Sequence, residues 1–314
     1  MLVIQSEDLE PGPATWLGER CELVRCARTD AGFDELLARA SGLVVRTYTR
    51  VDDALLDKAP GLKVVARAGV ALENIDVQAC RARGVEVVHT PDANTRAVIE
   101  FVWSMIMSRL RPFRPMAGAV DVPRWHQIRA EDVLDKQLCE LTLGIYGLGR
   151  IGKGMARVGA AMNMRVVYCD VLDIPKADRH GAEPVSRETL LAEADILSIH
   201  VDSRASNRGL IGTDAARQLK SSVLLINSSR GFVIDTNALA TFLRAHPSAH
   251  AMLDVHEPEP PPPDYPLWGL ANATLTPHEA AATALARENM SWVVHDVWRV
   301  LQGETPAHPA PELI

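Results

Sequence analysis

Short runs of aliphatic and β-branched residues alternate along the chain with stretches whose apolar positions recur at helical spacing. Leu2 to Gln5, Glu22 to Cys26, Leu43 to Arg46, Lys63 to Arg67 and Val85 to His89 read as strands. Between them lie the helical stretches Phe33 to Ala40, Asp52 to Lys58 and Asp76 to Arg83. Regular alternation of this kind implies a parallel sheet with helices on both faces. A second series opens at Leu141 to Tyr146 and continues with Arg165 to Cys169, Ile196 to Val201, Val223 to Asn227 and Ala251 to Val255. The pattern predicts an α/β chain of two doubly wound parallel-sheet domains.

A long helical pattern joins the two series, from about Asn94 to Arg111, and stops at Pro112. Asp92 or Asn94 is placed to cap its start, and Phe101, Val102, Met105 and Ile106 give it an apolar face. The basic residues Arg109, Arg111 and Arg114 suit the negative end of its dipole; an anion site is the alternative. A last helical pattern, Ala284 to Leu301, follows the second series, and packing back on the first domain would make that domain discontinuous. Glu257-Pro-Glu-Pro-Pro-Pro-Pro-Asp264 predicts an extended polyproline surface loop, with a docking motif as the alternative.

Composition narrows the class. The 314 residues suit two domains of about 150 residues each, and 47% apolar with 23% charged residues excludes a disordered or collagen-like chain. A formal net charge of −7 argues against nucleic acid as the main partner. The longest apolar run, Val98 to Met107, is broken by Glu100 and Ser104, and the amino terminus turns acidic at Glu7 and Asp8 without a basic leader. A soluble cytoplasmic protein without a membrane partner is expected. Five cysteines without a C-x-x-C pair, and ten histidines without a metal-binding spacing, predict packed thiols and no metal.

The strongest local signal is Gly147-Leu-Gly149-Arg150-Ile151-Gly152, placed directly after a strand and opening the helical stretch Lys153 to Met162. Gly147 suits the tight turn, Gly149 lets main chain approach a pyrophosphate, and Gly152 permits close helix–strand packing. The helix amino terminus presents N–H groups and the positive end of a dipole to phosphate. The next strand ends at Asp170, 21 residues after Gly149, near the spacing of an acidic ribose acceptor. A carboxylate there repels a 2′-phosphate, and Val171-Leu-Asp173 supplies no arginine to offset it, so NAD is expected over NADP. The plain alternative makes Asp170 a strand-end turn residue.

The run from Gly144 to Asp170 resembles the NAD-binding signature of the D-isomer-specific 2-hydroxyacid dehydrogenases, the group that includes D-3-phosphoglycerate dehydrogenase. Further segments agree in collinear order: Val223 to Asp235 with Arg230, Asp254-Val-His-Glu-Pro-Glu259, Thr276-Pro-His278, Leu62 to Asp76 with Gly69, Val70 and Ala71, and Pro91 to Thr95. The resemblance implies a Rossmann NAD-binding domain, 94–281, inserted in a flavodoxin-like substrate-binding domain made of 1–93 and 282–314. It implies a homodimer, with the helix between the series contributing to the interface. With the chain ending at Ile314, no added regulatory domain is expected.

Hydride transfer between nicotinamide and a small anionic 2-hydroxy or 2-oxo acid needs a proton carrier and a cation for the substrate's oxygens. His278 suits the first, with Glu259 fixing its tautomer, and Arg230 offers a planar fork for the second. By resemblance these three are the catalytic group, and Asp254 holds the nicotinamide carboxamide. By the same resemblance Val201, Ser228 and Ser229 line the cofactor. The N–H groups of Gly69, Val70 and Ala71 suit an anion cradle, and Arg46 and Arg67 suit a second anionic group. Singly, Arg230 also reads as a surface charge, Glu259 as a loop acid and His278 as a helix cap. His200 and His256 read as structural.

Three positions depart from the family pattern. Ala71 replaces a usual glycine, Asp202 a usual proline, and Glu279 adds a carboxylate directly after His278. The expectation from Glu279 is a raised His278 pKa, repulsion of an anionic substrate, or an outward-pointing side chain. The rival reading of the whole chain is an NAD(H)-responsive, non-catalytic binding protein of the co-repressor kind.

Overall fold

Five strands, β1 (Leu2–Gln5), β2 (Glu22–Arg25), β3 (Gly42–Val45), β4 (Val64–Arg67) and β5 (Glu86–Val88), pair in parallel in the order β2-β1-β3-β4-β5. They belong to a computed structural model that describes residues 1–113, 115–131 and 135–311. The model divides into one unit of Met1–Ala97 with Ala281–Ile314 and another of Val98–Ala280.

In the first unit the two-residue period of the strands sorts side chains to opposite faces. Val3, Val44, Val64, Ala66 and Val88 pack on one face with Leu9, Leu17, Val293, Val294, Val297 and Leu301. Ile4, Leu43, Val45, Val65 and Val87 pack on the other with Phe33, Leu37, Leu55, Leu56 and Cys80. Burial on both faces is why these strands read as unbroken apolar runs.

The final helical pattern is two helices, Ala284–Ser291 and Val294–Leu301, separated by a turn at Trp292 and Val293. An unbroken helix would set Val293 and Val294 about 100° apart on its surface. The turn buries both, at 2% and 0% exposure, in the same cluster. The helix Pro11–Gly18 is not legible from the pattern, because two prolines and two glycines among its eight residues leave Leu17 as its one buried aliphatic position besides Pro13.

The second unit holds β6 (Thr142–Tyr146), β7 (Arg165–Cys169), β8 (Glu183–Pro184), β9 (Ile196–Ile199), β10 (Leu224–Asn227), β11 (His250–Leu253) and β12 (Ala273–Leu275). All pair in parallel, in the order β12-β11-β10-β9-β6-β7-β8. Strand order reverses between β6 and β9, the switch point outside which open α/β sheets bind ligands. β8 and β12 lack an apolar signal because the first is two exposed residues and the second is only half-buried.

The long helix runs Thr95–Leu110 with Arg109 in its last turn; Arg114, grouped with Arg109 by the pattern, lies outside the described residues. The proline-rich stretch is not one extended polyproline run. It bends over residues 257–260, where the Glu257–Pro258 and Glu259–Pro260 peptides are cis, and turns again at Pro263 and Asp264. The bend is closed by the His256 N–H, which donates to Glu259 Oε1 at 3.0 Å.

Candidate active site

β6 runs into the glycine loop. Gly147 has φ 93°, a left-handed conformation that favours glycine, and its N–H donates to the Cys169 carbonyl at 2.9 Å. A Cβ on Gly152 would lie 2.2 Å from the Gly147 carbonyl oxygen, so a bare residue is needed for helix Arg150–Ala161 to start this close to the strand. Asp170 ties the loop down: its Oδ2 accepts from Leu148 N–H at 2.6 Å and its Oδ1 from Leu172 N–H at 2.9 Å. Arg150 and Ile151 form the first turn of the helix.

At the carboxyl ends of β10, β11 and β12 the chemistry-bearing residues converge. Asp254, wholly buried, follows β11. Its Oδ1 accepts from Thr276 Oγ1 at 2.6 Å and Glu279 N–H at 2.9 Å, and its Oδ2 from Ala280 N–H at 2.9 Å. These donors flank His278 on both sides. That support matters because His278 has φ 56°, a conformation that costs a non-glycine residue about 1–2 kcal/mol.

Nδ1 of His278 lies 2.8 Å from Glu259 Oε2. The hydrogen bond to Glu259, reinforced by the charges of Glu259 and Asp254, raises the His278 pKa above the usual imidazole value, against burial and the Arg230 charge. Burial by itself would raise the Glu259 carboxyl, but hydrogen bonds from His278 and the His256 N–H outweigh it and hold the pKa low. The pairing occupies Nδ1 of the ring.

Arg230 follows β10, with its Nη1 donating to the Ser229 carbonyl at 2.6 Å and its charge reaching His278. Gly231 explains this closeness. A Cβ there would sit 2.0 Å from the main-chain carbon and oxygen of His256, so only glycine lets the two strand exits pass. Sequence reasoning missed this residue, although an isolated glycine after a strand signals close main-chain approach.

In the other unit, Arg46 follows β3 and donates from Nη1 to the Asp8 carbonyl at 3.1 Å. Arg67 ends β4 with its guanidinium over Gly69, where a Cβ would lie 1.5 Å from Nη1. The Gly69 N–H turns back on the Arg67 carbonyl at 2.8 Å. Of the three residues expected to form an anion cradle, Gly69 thus has its N–H engaged within the turn.

The model of the D-isomer specific 2-hydroxyacid dehydrogenase NAD binding domain matches residues 103–280. A glyoxylate reductase of Aeropyrum pernix is 36% identical over 283 residues, covering 87% of this chain and 84% of that protein. The chain belongs to the D-isomer specific 2-hydroxyacid dehydrogenases. It is accordingly an NAD-dependent oxidoreductase. A D-3-phosphoglycerate dehydrogenase of Mycobacterium bovis is 36% identical over 308 residues, 96% of this chain but 57% of that protein, so the chain spans little more than half the length of that relative. The solved D-lactate dehydrogenase of Aquifex aeolicus, complexed with NAD and lactic acid, superposes with a TM-score of 0.80 at 26% identity, covering 97% and 96% of the two chains.

The residues present fit NAD. Helix Arg150–Ala161 starts at Gly149 with no side-chain cap, and a Cβ on Gly149 would meet nothing within 4 Å, so its positive end opens on space. Each Asp170 oxygen has one protein donor, leaving about one lone-pair site apiece for a ribose diol. Ser228 Oγ is buried without a partner among the described residues, and Val201 is half-buried beyond β9. Ser229 fits less well: its N–H and Oγ both donate to Asn227 Oδ1, at 3.0 and 2.7 Å, so its hydroxyl donor is already engaged. Asp254, expected at the nicotinamide carboxamide, accepts three bonds from the 276–280 loop, and its Oδ2, with one of them, keeps a lone-pair site.

Two of the three departures resolve locally. Glu279 is exposed, and its main-chain N–H, not its carboxylate, engages the site through Asp254. Asp202 is answered by Arg204, whose Nη2 lies 2.7 Å from Oδ2; the Asp170 charge also acts on Arg204, a neighbour that sequence reasoning did not single out. His200 has its Nε2 2.8 Å from Ser198 Oγ and a pKa pushed down to about 3 by burial. His256 packs edge-on against Tyr265 at 5.6 Å.

Proposed function

We propose that the protein catalyses reversible hydride transfer between NAD and a small anionic D-2-hydroxy acid or its 2-oxo counterpart, of phosphoglycerate, hydroxypyruvate or glyoxylate type. The observation that carries this reading is the 2.8 Å His278–Glu259 pair beside Arg230 in an NAD-binding domain. The relatives named glyoxylate reductase and D-3-phosphoglycerate dehydrogenase support the substrate class.

Bound NAD(H) accepts or supplies the hydride. His278, charged through its partner Glu259, gives a proton to the carbonyl oxygen during reduction and takes one from the hydroxyl during oxidation. Glu259 holds the Nδ1 proton and stabilises the imidazolium. Arg230 binds the carboxylate or carbonyl oxygen through its planar fork. The discontinuous unit is the substrate-binding domain, with Arg46, Arg67 and the N–H groups of Val70 and Ala71 as its anion-binding groups.

The test is NADH oxidation with glyoxylate, hydroxypyruvate, phosphohydroxypyruvate and pyruvate. At least one is turned over, and Arg230→Ala or His278→Ala removes turnover while NADH binding persists. Absence of turnover across the panel by NADH-binding protein refutes the reading in favour of a cofactor-responsive binding protein.

A homodimer rests on a separate observation. Helix Val122–Glu131 has no buried residue, and Phe113, Val122 and Trp125 nearby are 99%, 68% and 45% exposed. Light scattering then reads twice the 34.3 kDa chain mass; a monomer at micromolar concentration refutes it. Five free cysteines support a reducing, cytoplasmic location.

A further inference from the structure

Four consecutive main-chain amides converge on one carboxylate in the amino-terminal unit. In the loop after β3, the N–H groups of Arg46 (3.0 Å), Thr47 (2.7 Å), Tyr48 (3.2 and 3.1 Å, to the two oxygens) and Thr49 (3.0 Å) all donate to Glu7, just beyond β1. Successive N–H groups wrapped around a point make an anion cradle, and here the anion is the protein's own. Burial would raise the Glu7 pKa, but the four amides outweigh it and keep the carboxylate below its ordinary value.

The same loop is tied from its other side. Asn74 Nδ2 donates to the carbonyls of Arg46 (3.3 Å) and Thr49 (2.7 Å), and Ser6 Oγ lies 2.8 Å from Thr49 Oγ1. Donors and acceptors of the turn are thus both engaged, an unusual degree of order for a segment in which Tyr48 is 89% exposed. The cation this arrangement fixes is Arg46. Burial, followed by the like charge of Arg287, lowers its pKa despite Glu10, Glu7 and Asp8. A guanidinium left in that balance is stabilised by one further anion.

We propose that Glu7 is a positioning residue for substrate binding. Its carboxylate fixes the 46–49 loop so that the Arg46 guanidinium is preset for the anionic group of the substrate. It also fills the main-chain cradle, so that the substrate's anion goes to the side chain and not to the loop amides. The proposal rests on the reading above in which Arg46 binds that anion.

Glu7→Gln puts a donor NH2 where an acceptor oxygen faces amide N–H groups. Hydrogen exchange at the amides of 46–49 is then expected to be about tenfold faster or more. KM for the best 2-oxo acid is expected to rise about tenfold, with kcat within about threefold and the NADH dissociation constant unchanged. Asn74→Ala loosens the loop through its carbonyls and gives the same KM signature, so the proposal does not depend on one variant folding. Arg46→Ala is the reference and raises KM at least as far. Absence of turnover by the wild type on every acid overturns the functional reading, and this proposal with it. A raised KM in Arg46→Ala with an unchanged KM in both Glu7→Gln and Asn74→Ala overturns the proposal alone. Unchanged exchange at 46–49 in Glu7→Gln overturns it as well.

Discussion

Glu259→Gln isolates the contribution of the carboxylate to His278, the proposed proton carrier. The substitution keeps a hydrogen-bond acceptor of nearly the same shape near His278 Nδ1 and removes the charge. A hydrogen bond to a charged partner contributes about 1.5–3 kcal/mol. The two side chains are 48% and 39% exposed, so solvent screening places this pair at the low end, about 1.5 kcal/mol. That corresponds to roughly a tenfold loss in kcat/KM, well short of the hundredfold or greater loss expected for His278→Ala. The pH profile supplies the sign. Reduction needs the imidazolium, and Glu259 raises the His278 pKa, so the rate persists until pH rises through that raised value. Without the carboxylate the pKa falls, and the descending limb of reductive kcat/KM moves to lower pH. Oxidation needs the neutral ring, so its ascending limb also moves to lower pH. Steady-state kinetics across pH with the preferred acid makes the comparison. A descending limb that stays in place, whatever the loss in rate, refutes the pairing as the cause of the raised pKa.

Three further outcomes are expected. His200, with its pKa near 3 in the folded state, is neutral in both states above about pH 6.5; below that the unfolded chain takes up the proton first, costing about 1.4 kcal/mol per pH unit. Urea titrations between pH 6.5 and 4.5 should show this acid slope in the wild type and a shallower one in His200→Gln; equal slopes contradict it. Gly231→Ala forces a Cβ to within 2.0 Å of His256 main chain and should cost about 3 kcal/mol or more, read as a lowered Tm; a change under about 2 °C contradicts the close approach. Asp254→Asn turns an NH2 toward one of three donors, so kcat should fall at least about tenfold while NADH affinity changes less than about threefold, measured by turnover and fluorescence titration. A large loss of NADH affinity at unchanged kcat contradicts this expectation.

What could be read from the chain was local or strictly ordered. Strand positions followed from aliphatic runs, because burial on both faces of a parallel sheet leaves few polar positions within them. The turn at Gly147, the helix after it and Asp170 were legible because the contacts that shape the loop lie within about two dozen residues. Arg230, Glu259 and His278 were picked out by residue type and order. β8, β12 and helix Val122–Glu131 escaped because their residues are exposed or half-buried and carry no periodic apolar signal.

The sequence by itself therefore determined two parallel α/β sheets, a dinucleotide loop and His278 with Glu259 as the candidate pair. Tertiary structure decided how those groups are held. Glu7 found its acceptor role against amides about forty residues away. Asp254 proved to clamp the His278 loop, Gly231 proved to be the point where two strand exits touch, and the last helix broke so that Val293 and Val294 could both be buried. A carboxylate carries no mark in sequence of which N–H groups will reach it. Its partners are chosen by the register of strands that meet only when the sheet is assembled, so its role becomes visible only in the folded chain.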